Sequence, residues 1–115
     1  NTSSKSGTLD MLLNAGRFHD ALAKLCFKHN KPAFGSSANI SLTGSKFNAT
    51  DIEHELIGVA DIVIDHGTSK YANVEGISST IIDFRDFTVI RHGCCFPELK
   101  QIFHDQFAID LKPVL

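Results

Sequence analysis

The spacing of apolar positions changes along the chain, and the changes indicate a mixed architecture. Residues 18–29 and 98–107 place their apolar side chains three and four positions apart, which predicts two amphipathic helices. Asn30, Lys31 and Pro32 are expected to end the first of these helices, and a frayed tail is expected at Lys112 and Pro113, after the second. A further helix is expected to run to about Gly58, with Thr50 as its N-cap and Glu53 as the capping-box partner.

Short runs of β-branched and other apolar residues predict the strands, at residues 32–34, 61–65, 80–84 and 87–91. Arg85 and Asp86 separate the last two runs, so these are expected to pair as an antiparallel hairpin. Residues 8–13 fit a strand that leads into a turn, although leucine and methionine also favour a helix there. Strands that alternate with helices, together with one hairpin, indicate an α/β domain with a mixed sheet.

The composition is that of one ordinary soluble domain spanning residues 1–115. The chain is 43% hydrophobic and 21% charged, with a formal net charge of -2. Its apolar runs are far shorter than the roughly 20 residues that cross a bilayer, and its first residues contain no signal-peptide core. We therefore expect a cytoplasmic protein without membrane contact. Basic residues form no long run, so any nucleic-acid contact is expected to be local.

Neither metal binding nor thiol catalysis is indicated by the cysteines and histidines. Cys26, Cys94 and Cys95 cannot all pair within one chain, which favours a reducing compartment. The six histidines are scattered and lack the spacing of metal ligands. His92 beside Cys94 is the single thiol and imidazole cluster that merits a test. We expect no metal ligand and no catalytic nucleophile in this chain.

Three polar clusters follow predicted strands, at residues 36–41, 78–80 and 91–93. If these strands share one sheet, the clusters converge on a pocket whose hydroxyls, backbone N–H groups and Arg91 guanidinium suit a phosphate or a carboxylate. Such groups position a reactant and stabilise its charge. For Ser37 and Asn39 the alternative is an ordinary turn. Asp65 and Asp83 are expected to accept backbone N–H bonds in turns rather than to act in catalysis.

Four segments in order resemble the motifs of the YrdC-like domain family. They are SANIS at residues 37–41, DIVID at 61–65 with Gly67 after it, STIID at 79–83 and VIRHG at 89–93. Each motif alone is weak, but four in the family's order are far more specific. The resemblance implies the family's twisted open sheet flanked by helices, here with a C-terminal hairpin and helix.

The best known members of this family are threonylcarbamoyl-AMP synthases. The resemblance therefore implies condensation of threonine, bicarbonate and ATP to threonylcarbamoyl-adenylate and pyrophosphate, the first step towards threonylcarbamoyladenosine in tRNA. By motif, Thr8, Ser37, Asn39 and Arg91 would contact the nucleotide, and Ser79 would contact the amino acid. Mg²⁺ would accompany the triphosphate, with no ligand assigned in this chain.

The chain departs from the family pattern in three places. Leu12 stands where the family commonly has an arginine that holds the threonine carboxylate, so Lys46 or Lys70 would have to replace it. The usual SANxSG continues here as Ser41 and Leu42, with Gly44 displaced. The family's basic N-terminal motif is absent, so we expect this chain to be the C-terminal half of the domain, to need the other half as its partner, and to be inactive alone.

Two other functions stay open. A non-catalytic module that binds a nucleotide or double-stranded RNA would account for Leu12 and for the absent basic motif. A carbamoyl-transfer relative would keep the adenylate pocket but accept a different amino-group donor or carbamoyl acceptor.

Overall fold

The structure is a computed structural model that describes residues 7–13 and 15–113. Three α-helices are described, α1 (Arg17–His29), α2 (His54–Gly58) and α3 (Phe96–Phe107), with a short 3-10 helix at Ala49–Asp51. Two strands, β1 (Ile81–Asp83) and β2 (Thr88–Arg91), form the sheet. The predicted α/β class, with its hairpin and closing helix, is confirmed. None of the described helices has the length and apolar content that a membrane span requires.

The chain divides into two compact units, the first ending at Ser36 and the second beginning at Ser37. In the first unit α1 confirms the predicted helix. It ends at Asn30, which adopts the left-handed conformation at φ 52° and donates its N–H to the carbonyl of Phe27. Asparagine tolerates this conformation better than most residues, so the helix stops before Pro32 is reached.

Three predicted strands are absent from the described residues, at positions 8–13, 32–34 and 61–65. The first of these segments is not helical either. In the third, Ile62 and Ile64 are exposed, at 79% and 54%. A β-branched run becomes a strand only where a neighbouring strand accepts its backbone hydrogen bonds, and these segments have no ladder partner among the described residues.

The helix expected after Thr50 begins later than predicted. Thr50 lies inside the 3-10 helix, and α2 starts at His54 with Glu53 as its N-cap residue. Neither residue forms the predicted capping box, because no side-chain cap bond is present at either helix. The Glu53 carboxylate instead forms an ion pair with Lys46 at 3.1 Å.

The hairpin of the second unit is antiparallel, as predicted, with Ile82 opposite Val89 and Asp83 opposite Thr88. Four residues, 84–87, connect the strands, and the N–H of Phe87 donates to the carbonyl of Asp83 at 2.7 Å. A bulge follows toward the other end of the hairpin, because Ile81 pairs with Arg91 rather than with Ile90.

The C-terminal segment packs on the hairpin, so the expected frayed tail at Lys112 and Pro113 is wrong for the described residues. The N–H of Val89 donates to the Lys112 carbonyl, and the N–H of Lys112 donates to the Phe87 carbonyl, both at 3.0 Å. These bonds bring Leu111 inside, where it is 8% exposed, next in burial to Val89 at 0%. The same unit contains a series of four phenylalanine rings, each with its centre about 6 Å from that of at least one other, Phe84, Phe87, Phe103 and Phe107.

Candidate anion-binding site

Arg91 lies at the end of β2 with its guanidinium oriented by the residues that precede β1. Its Nε donates to the Ser79 carbonyl at 2.8 Å, and its Nη2 donates to the Ser79 hydroxyl at 3.0 Å. The same Nη2 lies 3.4 Å from the Ser78 hydroxyl. The structure thus brings together two of the predicted site residues, Ser79 and Arg91.

The Arg91 side chain is exposed and has no carboxylate within ion-pair distance among the described residues. Arg91 Nη1 likewise donates no hydrogen bond to any of the described residues. Arg85, in the hairpin connection, is the opposite case, because its guanidinium is paired with Asp83. Arg91 is therefore a fixed cation with donors available to an incoming anion.

The bulge in the hairpin and the absence of a side chain at Gly93 explain how Arg91 reaches Ser79. An extra residue in β2 breaks the period-two alternation of side chains, which is how bulges redirect a neighbouring side chain. Gly93 then lies directly against the backbone of Ser78 and Ser79, where a Cβ would come within 2.3 Å of the Ser79 carbonyl carbon. Only glycine permits this approach.

Residues 78–80 are joined to residues 93–94 by a short series of bonds. The N–H of Cys94 donates to the Ser78 carbonyl at 2.8 Å, and Ser79 and Cys94 form an isolated parallel bridge. The Thr80 hydroxyl accepts from the N–H of Gly93 at 3.1 Å and donates to the Cys94 carbonyl at 2.9 Å. The hydroxyl cluster beside Arg91 is consequently attached to the strand that carries Arg91.

The loop at residues 37–44 forms a turn of its own. The Asn39 amide donates to the Ile40 carbonyl at 3.0 Å, and this carbonyl also accepts from the N–H and the hydroxyl of Thr43. Ser37 is exposed just before the turn. Within the described residues Asn39 makes no hydrogen bond to Ser79 or Arg91. The proposed nucleotide contacts of Ser37 and Asn39 stay predictions.

Thr8 and Leu12 belong to the first unit. Thr8 is half-buried, and Leu12 is 62% exposed. The nucleotide contact expected of Thr8 stays a prediction.

The two lysines considered as replacements for the family's arginine have different surroundings. Lys46 pairs with Glu53 at 3.1 Å. The Thr43 hydroxyl and the Lys46 ammonium lower the pKa of Glu53 from 4.5 to about 2, so the Glu53 carboxylate is ionised through the physiological range. The Lys70 ammonium lies 5.1 Å from the centre of the Tyr71 ring and has no carboxylate partner among the described residues.

Asp65 and Asp83 accept backbone bonds in turns, which confirms the structural role expected of them. Asp65 accepts from the N–H of Gly67 at 2.7 Å, and Asp83 accepts from the N–H of Arg85 at 2.9 Å. The Arg85 guanidinium lowers the pKa of Asp83 from 3.8 to about 2. A carboxyl group that acidic is a poor general base near neutral pH.

The side chains of His92 and Cys94 contact different residues. The His92 ring stacks on Phe96 with centres 4.1 Å apart, whereas the Cys94 thiol donates to the Ile77 carbonyl at 3.0 Å. Within residues 7–13 and 15–113, no group of three or more histidine, cysteine and acidic side chains is placed to hold a metal ion.

Sequence reasoning missed Asn73 and the contact between Cys94 and Ile77, which hold the segment before Ser79. Asn73 donates to the Ile77 carbonyl at 2.9 Å and accepts from the N–H of Ile77 at 2.7 Å. An asparagine in a polar loop is common in turns without any ligand, so its spacing from Ser79 carried no distinguishing signal.

The comparison with protein families agrees with this arrangement of motifs. The Sua5/YciO/YrdC family model, described as Telomere recombination, matches residues 17–93, more than half of the chain. The chain belongs to this family, which confirms the resemblance to YrdC-like domains. The match includes Ser37, Asn39, Ser79 and Arg91 and begins after Thr8. No curated protein and no solved structure matches the chain.

Proposed function

We propose that this chain is the nucleotide-binding part of a threonylcarbamoyl-AMP synthase-like enzyme. The reaction would join threonine, bicarbonate and ATP into threonylcarbamoyl-adenylate and release pyrophosphate, as a step toward threonylcarbamoyladenosine in tRNA. Membership of the Sua5/YciO/YrdC family supports this class of function.

The observation that carries the proposal is the exposed, carboxylate-free guanidinium of Arg91, held by the Ser79 carbonyl and hydroxyl. A guanidinium is a planar donor that matches phosphate geometry, and here its orientation is fixed before a ligand arrives. Less side-chain entropy is then lost on binding. A charge-assisted contact of this kind contributes about 1.5–3 kcal/mol.

Ser79 is proposed to contact the amino acid. Its hydroxyl oxygen accepts from Arg91 at 3.0 Å, so its own proton is available to donate to a ligand oxygen. Thr8, Ser37 and Asn39 are proposed to contact the nucleotide through hydroxyl and amide groups. Mg²⁺ would accompany the triphosphate and reduce its charge. The groups of this chain bind and orient the reactants.

The threonine carboxylate needs a cation where Leu12 offers none. Since Lys46 is paired with Glu53, we propose Lys70, whose ammonium has no carboxylate partner among the described residues. This part of the proposal predicts that Lys70→Ala raises the KM for threonine and that Lys46→Ala leaves it unchanged.

The test is pyrophosphate release by the full-length protein with ATP, bicarbonate and each amino acid in turn. We expect selective stimulation by threonine, its loss in Arg91→Ala, and its retention in Arg85→Ala, because Arg85 is already paired with Asp83. Stimulation by no amino acid, with ATP still bound, would contradict the proposal and favour the nucleotide- or RNA-binding module. Recovery of threonine dependence in Leu12→Arg would then identify the missing carboxylate contact as the cause.

A further inference from the structure

The side chain of Asn73 forms hydrogen bonds that hold the loop before Ser79. Asn73 forms a two-point contact with the backbone of Ile77, donating to its carbonyl at 2.9 Å and accepting from its N–H at 2.7 Å. Its amide nitrogen also donates to the Tyr71 carbonyl at 3.1 Å and lies 3.4 Å from the sulfur of Cys94, and the Asn73 side chain is half-buried. The two contacts hold the peptide groups on both sides of Ile77.

Cys94 strengthens the same attachment from the opposite segment. Its thiol donates to the Ile77 carbonyl at 3.0 Å, so this carbonyl receives bonds from both Asn73 and Cys94. The next carbonyl along the chain, that of Ser78, accepts from the N–H of Cys94. The one after it, that of Ser79, accepts from Arg91 Nε. Three consecutive carbonyls are therefore aimed at residues 91–94.

We propose that Asn73 is a positioning residue for Arg91. By holding Ile77, it sets the direction of the Ser79 carbonyl and hydroxyl, which in turn orient the guanidinium. Its importance for ligand binding depends on the proposed function, since Arg91 must bind the nucleotide for its orientation to matter.

The chemistry requires an amide at position 73. Aspartate has nearly the same shape and keeps the acceptor for the N–H of Ile77, but a carboxylate cannot donate to the Ile77 carbonyl and places a negative charge beside it. Asn73→Asp therefore removes the donations to the Ile77 and Tyr71 carbonyls, and keeps the acceptor for the Ile77 N–H, without opening a cavity. Asn48→Asp is the matched control, because Asn48 also bonds through its side chain, to Asp51 and Thr68, and touches none of residues 77–80 or 91–94 through those bonds.

The experiment observes Arg91 directly. The chain has three arginines, Arg17, Arg85 and Arg91, so nitrogen–proton NMR of the full chain gives three Nε–H signals, with that of Arg91 assigned by its loss in Arg91→Lys. In Asn73→Asp we expect the Arg91 signal to shift and its exchange with water to speed up about tenfold. The Arg85 signal should stay in place, and Asn48→Asp should leave both unchanged. ATP affinity, by calorimetry, should fall about tenfold in Asn73→Asp.

An unchanged Arg91 signal in a folded Asn73→Asp variant would overturn the proposal, whatever happens to stability. Full-length wild-type protein that fails to bind ATP would count against the proposed function, while the Arg91 signal would still decide whether Asn73 orients Arg91. If Asn73→Asp does not fold, Asn73→Ala decides the matter, because it removes both contacts with Ile77 without adding a charge. The Arg91 signal should shift in that variant as well. A wild-type Arg91 signal in a folded Asn73→Ala variant would overturn the proposal.

Discussion

Replacing Gly93 by alanine should separate the two segments that form the candidate site. A Cβ at this position would lie 2.3 Å from the Ser79 carbonyl carbon and 2.4 Å from the carbonyl oxygens of Ser78 and Ser79. All three are backbone atoms, so no side-chain rotation relieves the overlap. The segments must move apart by about 1 Å to restore ordinary contact. Overpacking of this kind costs about 1–3 kcal/mol of folding free energy.

The same movement should weaken the proposed site. Arg91 Nε is 2.8 Å from the Ser79 carbonyl oxygen, and a displacement of about 1 Å takes this contact beyond hydrogen-bond distance. The guanidinium would then lose its fixed orientation. We expect the affinity of Gly93→Ala for ATP to fall about tenfold, as for the loss of one hydrogen bond that orients the binding group.

The assay pairs urea unfolding with calorimetric titration of ATP, and Gly58→Ala serves as the control. Gly58 is the last residue of α2, and a Cβ there meets nothing within 4 Å. Alanine at that helical position should be neutral or slightly stabilising. Wild-type stability and wild-type ATP affinity in Gly93→Ala would refute the close approach on which the site depends.

Three further predictions concern the hairpin and the helix ends. Arg85 lowers the pKa of Asp83 from 3.8 to about 2, so the ionised carboxylate stabilises the fold above its ordinary pKa, and this contribution is lost as the pH falls through about 2. Asp83→Asn should therefore reduce the change in urea-unfolding stability between pH 4 and pH 2, and an unchanged pH dependence would contradict the pairing. Val89→Ala should destabilise by about 2 kcal/mol, since Val89 is fully buried; a cost near zero in urea unfolding would argue against this core. Ala108→Gly should stabilise the fold by about 0.5–1 kcal/mol, because Ala108 ends α3 in the left-handed conformation, whereas Ala23→Gly inside α1 should destabilise it by about 1 kcal/mol. Thermal melting distinguishes the two variants, and equal losses of stability would contradict the left-handed cap.

The elements that sequence reasoning placed correctly depend on local signals. The amphipathic spacing of α1 and α3 repeats within a few turns, and the hairpin needs only neighbouring strands and a short connection. These features can be recognised without knowing what packs elsewhere in the chain.

The wrong predictions involve segments whose structure depends on distant partners. Residues 61–65 are rich in β-branched side chains, yet no described strand pairs with them. The prediction for the C-terminal tail was wrong in the opposite direction. Lys112 was expected to lie in a frayed end, but its backbone forms hydrogen bonds with Phe87 and Val89. Neither outcome follows from the residue types of the segment itself.

The main residues of the candidate site could be predicted from the sequence, but the contacts that hold them in position could not. Ser79 and Arg91 follow from family motifs at strand ends, and the structure joins them. The bulge at Ile90 and the Asn73 contact with Ile77 depend on register and loop geometry, which residue type does not determine.

Calorimetric titration of ATP into wild-type protein, Arg91→Ala and Arg85→Ala tests the central claim most directly. Both variants remove an exposed arginine of the same unit, but only Arg91 lacks a carboxylate partner among the described residues. We predict that Arg91→Ala weakens ATP binding by about 1.5–3 kcal/mol, the range for a charge-assisted contact, and that Arg85→Ala binds as the wild type does. Equal ATP affinity in a folded Arg91→Ala variant would contradict the assignment of this site.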